Sequence, residues 1–157
     1  MDEKTLNAIV SSVAKEIADA DMTLDTALKL SAKVKEKAKE MGVNAVVAIS
    51  NKAARPVLVE CMDDSYIASY DVAFNKAYTV VALKMSTSEL KKLSQPNGSL
   101  YGIQFTNDGK IVIFGGGEPL YNKAGKIIGG LGVSGGSEEQ DTALAKYGKE
   151  IFNTMGF

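Results

Sequence analysis

The sequence contains no histidine and only one cysteine, Cys61. Histidine is the usual general acid and base near neutral pH and the commonest metal ligand. Its absence excludes a Ser-His-Asp triad, a Cys-His pair and any zinc site that needs histidine. Catalysis would have to use carboxylates, lysine, tyrosine or Cys61 with strongly shifted pKa values. A single cysteine also excludes an internal disulfide and is typical of a reducing compartment.

The sequence also lacks an excess of either charge and any long apolar run. Lysine and arginine number 18 and aspartate and glutamate 19, which gives a net charge of −1. Without a basic field, we expect no nucleic acid partner. No apolar run approaches the roughly 20 residues of a membrane-spanning helix, and residues 1–4 lack the features of a signal peptide. We therefore expect a soluble, cytoplasmic protein with no membrane partner.

Helical periodicity is present in four long segments. Apolar residues recur there every three or four positions, which predicts helices over residues 6–17, 24–41, 69–85 and 137–155. Gly42 follows the second helix, as expected for a left-handed C-terminal cap. Ser137-Glu138-Glu139-Gln140 is a capping-box sequence that opens the last helix. A shorter helix is predicted to begin at residues 86–90.

Short β-branched and apolar runs alternate with turn sequences between these helices. They predict strands over residues 43–50, 57–62, 100–105, 111–114, 118–121 and 126–133. Asn107-Asp108-Gly109 indicates a hairpin between the third and fourth of these strands. The length of 157 residues suits one domain. We predict a single α+β domain over residues 1–157, with three layers around a central antiparallel sheet.

Residues 115–136 form a glycine-rich segment in which residues 130–135 have the G-x-G-x-x-G spacing of a dinucleotide site. The context argues against that function, because no second strand follows and Glu138 and Glu139 would repel a pyrophosphate. Two interpretations of the glycines remain open. They allow close backbone approach of a neighbouring element, or they form the floor of a shallow pocket whose N–H groups meet an anionic or planar ligand.

Several polar side chains are candidates for a site, each with a structural alternative. Asp63 and Asp64 offer carboxylates to a cation or cap a helix. Lys76 binds an acidic ligand, forms a buried ion pair or extends along the edge of an apolar face. Cys61 is expected to be an inert core residue. The tyrosines line a site for a planar ligand or pack at core edges: Tyr66, Tyr70, Tyr78, Tyr101 and Tyr121.

An ordered set of motifs covers nearly the whole chain: Met62-Asp63-Asp64, Lys76-Ala77-x-Thr79, Gly116-Gly117-Glu118-Pro119, and Gly125-x-Ile127-Ile128-Gly129-Gly130-Leu131-Gly132-Val133-Ser134-Gly135. In this order they resemble the GlcG/HbpS family, which includes the C-terminal domain of PduO-type proteins. The resemblance implies a profilin-like three-layer fold, homo-oligomers, and glycolate, propanediol or glycerol breakdown, with some members associated with bacterial microcompartments. It also implies haem or a corrinoid as candidate cofactors, although haem ligation in the family is attributed to a histidine, which this chain lacks.

The leading hypothesis is a non-enzymatic, oligomeric protein that binds a small molecule or serves as an accessory protein. Its site is predicted between the third long helix and the glycine-rich segment. Lys76 supplies charge, the backbones of Gly116, Gly117, Ser134 and Gly135 donate hydrogen bonds, and Asp63 or Asp71 orients the ligand. A second hypothesis is an enzyme that acts on a small hydroxy acid, aldehyde or diol-derived metabolite, with Lys76 and a carboxylate as acid and base. A third is a purely structural role in assembly.

Overall fold

The structure is a computed structural model that describes the backbone of residues 1–157 and every side chain except those of Ile17 and Ala18, so the Ile17 position of the first predicted helix face lies outside the described side chains. Five helices and four strands follow in the order α1 (Glu3–Asp19), α2 (Leu24–Glu40), β1 (Val46–Asn51), β2 (Pro56–Cys61), α3 (Ser69–Leu83), α4 (Thr87–Leu93), β3 (Gly117–Tyr121), β4 (Ile127–Ser134) and α5 (Glu138–Asn153). Among the described residues, no helix combines the length and apolar character that crossing a membrane requires.

The four strands form one antiparallel sheet in the order β2-β1-β4-β3. Val47 in the central strand β1 lies opposite Glu60 of β2 on one side and Val133 of β4 on the other. Helices α2 and α5 pack together on one face of the sheet, and α3 packs on the other face. The three-layer α+β arrangement expected from the sequence is confirmed.

The larger core lies between the sheet and the α2–α5 layer. Helix α2 buries residues at helical spacing, including Leu30, Val34 and Ala38, against Ile49 and Leu131 of the sheet. The smaller core on the opposite face contains Val46, Ala48, Ala73 and Ala77. Small side chains on α3 therefore allow this helix to lie close to the sheet.

The glycines of β4 complete this close approach. A Cβ atom on Gly130 would collide with the carbonyl oxygen of Ala77, and one on Gly132 would collide with that of Ala73. Of the two interpretations of the glycine-rich segment, close backbone approach therefore applies to these two positions. The G-x-G-x-x-G spacing arises from a strand packed under a helix.

Local hydrogen bonds fix the turn of the glycine-rich hairpin and the start of the helix that follows it. The hydroxyl of Ser137 accepts a hydrogen bond from the N–H of Gln140 (3.2 Å), and the Gln140 side chain accepts one from the N–H of Ser137 (2.9 Å). This confirms the predicted capping box at the start of α5. Asn122 and Gly125 form the turn between β3 and β4 through a backbone hydrogen bond of 2.9 Å.

The strands predicted over residues 100–105 and 111–114 are wrong. The first region contains a 3-10 turn at Ile103–Phe105. A second 3-10 turn at Asn107–Gly109 replaces the predicted hairpin, with Asn107 and Asp108 both in the left-handed region. The next segment is not a strand of the sheet, and the Val112 N–H donates instead to the Thr79 hydroxyl on α3 (3.0 Å).

Cys61 is also placed differently from the prediction. It is the last residue of β2, an edge strand, and it is exposed rather than part of the core. The apolar residues around it in the sequence indicated burial, but the position of β2 at the edge of the sheet could not be inferred from them.

Candidate functional site

Lys76 lies on α3 with its side chain fully buried. Its Nζ donates hydrogen bonds to the carbonyl oxygen of Val133 on β4 (2.8 Å) and to Oδ2 of Asp141 on α5 (3.2 Å). The other carboxylate oxygen of Asp141 accepts a hydrogen bond from the N–H of Gly136 (2.9 Å). This ion pair therefore ties together all three layers of the domain.

The space around the Lys76 ammonium is closely filled. The ring of Phe114 lies over it, with its centroid 5.0 Å from Nζ, which is within cation–π distance. Gly116 has φ +109°, and a Cβ there would lie 2.6 Å from Nζ. The left-handed backbone and this close contact together explain why glycine stands at position 116.

Burial shifts both members of the pair toward their neutral forms. Removal from water lowers the pKa of Lys76 and raises that of Asp141, although the charge and hydrogen bond of each partner oppose the shift. Shifted pKa values occur at functional sites, but buried structural ion pairs show them as well. Because Lys76 is fully buried and hydrogen-bonded, we interpret Lys76 and Asp141 as an ion pair that stabilises the fold.

The structure places Lys76, Gly116 and Gly135 close to Asp141. Two other predicted site residues have polar groups already engaged nearby. The N–H of Gly117 donates to the hydroxyl of Thr87 (2.9 Å), and the hydroxyl of Ser134 donates to that of Ser69 (3.0 Å). Their roles toward a ligand stay predictions.

Asp63 and Asp71 are exposed and lie outside this network. Asp71 is in the first turn of α3. Asp63 lines a surface depression of about 330 Å³ together with Lys35, Lys39, Asn44, Cys61 and Met62. The carboxylates predicted to orient a ligand therefore do not face the Lys76 ammonium.

A larger depression of about 450 Å³ lies where β4 leaves the sheet, and we name it the sheet-end depression. The turn before β1, the loop after β2 and the start of α5 form its walls, which consist of Gly42, Val43, Asn44, Asp64, Tyr66, Gly135, Gly136, Ser137 and Gln140. Amide, hydroxyl and glycine backbone groups predominate. Its neighbour around Asp63 shares Asn44, so the two depressions adjoin.

Sequence reasoning found part of this depression. Gly135 was a predicted site residue, and Tyr66 and Asp64 were named as candidates of other kinds. Asn44 and Gln140 were missed, because a polar residue beside a strand and one inside a capping box carry no distinguishing pattern. Among the described residues, no group of three or more His, Cys, Asp or Glu side chains is placed to hold a metal ion.

The fold and the site define a small three-layer α+β domain in which a glycine-rich hairpin packs under a helix. The family model described as "Haem degrading protein HbpS-like" matches residues 22–150, so the chain belongs to the HbpS-like family. This confirms the resemblance seen in the sequence.

Individual relatives support the same assignment. An uncharacterized 15.0 kDa protein encoded in the dhaT-dhaS intergenic region of Citrobacter freundii is 42% identical over 136 residues, which are 87% of this chain and 95% of that protein. The corrinoid adenosyltransferase PduO of Citrobacter freundii is 36% identical over 144 residues, covering 92% of this chain but only 42% of PduO. A crystal structure of a PduOC–haem complex superposes with a TM-score of 0.80 at 36% identity, covering 83% of this chain and 94% of that one.

The sheet-end depression does not fit a haem held through its iron. The chain has no histidine, and the only phenol in the lining belongs to Tyr66, whose side chain is 72% exposed. The remaining walls are mostly amides, backbone and the carboxylate of Asp64 rather than the apolar surfaces that cover the faces of a porphyrin. The same polar walls do fit a ligand that is rich in amides or hydroxyl groups.

Proposed function

We propose that this chain is a non-enzymatic, oligomeric accessory protein that binds a corrinoid in the sheet-end depression. It would serve a cytoplasmic pathway of the glycolate, propanediol or glycerol type, in some settings within a bacterial microcompartment. The observation that carries the proposal is the polar lining of the depression, with its side-chain amides at Asn44 and Gln140. The relationship to PduO, a corrinoid adenosyltransferase, supports the choice of ligand class.

The chemistry of the two tetrapyrrole classes favours a corrinoid over haem as the ligand of the sheet-end depression. A corrinoid carries amide side chains around its ring, which both donate and accept hydrogen bonds. The side-chain amides of Asn44 and Gln140 and the hydroxyl of Ser137 are matching groups. A depression of about 450 Å³ holds one edge of such a ligand and leaves the rest in solvent. Haem needs an iron ligand, and the one candidate in these walls is the largely exposed phenol of Tyr66.

An enzymatic role has less support from the geometry. The second hypothesis used Lys76 as acid or base, but its Nζ is fully buried and bonded to Val133 and Asp141. A substrate would reach this amine only after displacing Phe114 and the backbone at Gly116. We therefore assign the Lys76–Asp141 pair to stability and the sheet-end depression to binding.

Titration with hydroxocobalamin tests this proposal. We expect saturable binding to the full chain, measured by equilibrium dialysis and by changes in the corrin absorbance spectrum. Asn44→Leu removes an amide at an exposed position and should weaken binding by roughly 10-fold, the value of one or two hydrogen bonds. Asn153→Leu, in a different depression, is the matched control and should leave binding unchanged.

A parallel titration with haemin tests whether the chain binds haem instead of a corrinoid. The proposal predicts no saturable shift of the Soret band at equal concentration. Saturable haemin binding with no hydroxocobalamin binding would overturn the proposed ligand class. If neither Asn44→Leu nor Asn153→Leu weakens hydroxocobalamin binding, the sheet-end depression is not the binding site.

A further inference from the structure

Helix α1 presents an apolar face that the domain does not cover. Leu6, Ile9, Val10 and Val13 recur at helical spacing, and their side chains are 47%, 47%, 57% and 48% exposed. All described side chains from position 3 to 16 are exposed. Among the described residues, α1 makes no extended packing contact with another helix or strand. Because most of the stability of a protein helix comes from packing of its amphipathic face, this 17-residue helix calls for a surface that covers it.

The connection after α1 directs the helix away from its own α2. The backbone N–H of Lys52 donates to the carboxylate of Asp21 (2.8 Å), and Nζ of Lys52 donates to the carbonyl oxygen of Asp19 (2.9 Å). The N–H of Met22 donates to the carbonyl oxygen of Ile128 (3.1 Å). These bonds fix the connection against the ends of β1 and β4, and among the described residues α1 makes no extended contact with α2.

A matching apolar ridge lies on the outer side of α2. Leu24, Leu28 and Ala32 are four residues apart and exposed, with Leu24 at 54% and Leu28 at 45%. At 1.5 Å per residue this ridge is about 12 Å long, and the face of α1 from Leu6 to Val13 is about 10 Å long. The two uncovered apolar surfaces therefore have similar lengths and suit helix-on-helix packing.

The charges of the two helices are complementary. Helix α1 carries three acidic and two basic side chains, whereas α2 carries five basic and three acidic ones. The acidic excess on α1 also disfavours binding of this helix to an anionic membrane, because such membranes attract basic amphipathic helices. The apolar face and the charge of α1 therefore fit α2 better than they fit a lipid surface.

We infer that α1 of one copy docks along the Leu24–Leu28–Ala32 ridge of α2 on a second copy, and that the exchange is reciprocal. Two identical contacts related by a two-fold axis close a dimer. The family model begins at residue 22, so the proposed contact uses a helix outside the residues that the model matches. The inference deepens the oligomeric part of the proposed function and is independent of the ligand.

Sedimentation equilibrium of the full chain and two variants tests the inference. The full chain should have the mass of a dimer or of a multiple of dimers. Ile9→Asp on α1 and Leu28→Asp on α2 each place a charge in the contact and should each raise the dissociation constant at least about 100-fold. Ser11→Asp, on the opposite side of α1, is the matched control and should keep the mass of the full chain.

An equimolar mixture of the two variants provides the sharpest result. The Leu28→Asp chain retains a normal α1 and the Ile9→Asp chain retains a normal α2, so one of the two contacts forms and a mixed dimer appears. Far-UV circular dichroism checks that each variant is folded, and Leu24→Glu replaces Leu28→Asp if the latter does not fold.

Three outcomes would overturn the inference. They are a monomeric full chain, an unchanged mass for both variants, and dissociation by Ile9→Asp alone, which would indicate that α1 pairs with α1 or with a different protein. Hydroxocobalamin binding by a monomeric chain would refute the docking while leaving the proposed ligand intact. Docking without corrinoid binding would refute the ligand alone.

Discussion

Replacing Asp141 by alanine should lower the free energy of unfolding by about 3–5 kcal/mol, because it leaves the buried Lys76 ammonium without its counter-charge. The same change removes the acceptor of the Gly136 N–H at the start of α5. Chemical denaturation of the full chain followed by circular dichroism measures the loss. Lys91→Met is the control, since its ion pair with Glu138 is partly exposed and should be worth less than about 1 kcal/mol.

Removing both charges together should have a much smaller effect. Lys76→Met combined with Asp141→Leu fills the same space with apolar groups, and such replacements of buried ion pairs are often neutral or stabilising. The double variant should therefore be more stable than Asp141→Ala by several kcal/mol. A double variant as unstable as Asp141→Ala would show that the hydrogen bonds of the pair, rather than its charges, hold the layers together.

The pH dependence of this pair follows from the directions of the two pKa shifts. The pKa of Asp141 is raised by folding, so its contribution to stability is greatest below pH 3.8 and falls as the pH rises. The pKa of Lys76 is lowered by folding, so its contribution is greatest above pH 10.5 and falls as the pH drops. The free energy of unfolding of the double variant, measured relative to that of the natural sequence, should therefore be highest at intermediate pH. A gain that is largest at pH 3 would contradict the shifts.

Gly132→Ala should also cause a large loss in the free energy of unfolding. Its Cβ would collide with the Ala73 carbonyl oxygen and lie 2.7 Å from the Ala77 backbone nitrogen, so α3 would have to move away from β4. Overpacking of a core typically costs about 1–3 kcal/mol, and we expect the upper end of that range because the obstacles are backbone atoms. Thermal and chemical unfolding measure the loss.

Gly125→Ala separates steric collision from backbone conformation. Gly125 has φ +74° but open space around its Cβ position, so alanine there should cost about 1–2 kcal/mol from the left-handed backbone alone. Equal losses at the two positions would mean that α3 adapts easily, and would contradict the close-approach explanation of the glycines in β4.

Local patterns predicted the helices and the sheet because each is encoded by neighbouring residues. The helical spacing in α2 and the capping box at Ser137 are examples that the structure confirms. The strand predicted over residues 111–114 is wrong for a non-local reason. The buried hydroxyl of Thr79 accepts the hydrogen bond that a partner strand would otherwise accept. Periodicity along the chain does not reveal which distant side chain satisfies a backbone N–H.

The candidate site was less predictable than the fold. An apolar helix face containing Lys76 indicated an unusual lysine, and the buried ion pair was one of the alternatives, but its partner Asp141 lies 65 residues away. The sheet-end depression is assembled from three separate segments around Gly42, Asp64 and Gly135. Only the three-dimensional structure brings their polar groups together.

Hydrogen–deuterium exchange of the full chain, with and without saturating hydroxocobalamin, tests the proposed site most directly. The ligand should slow exchange in residues 42–45, 63–66 and 134–140, which surround the sheet-end depression. Exchange in residues 86–93 and 146–153, around the depression that contains Asn153, should not change. Unaltered exchange around Gly135, or protection confined to that second region, would contradict the account.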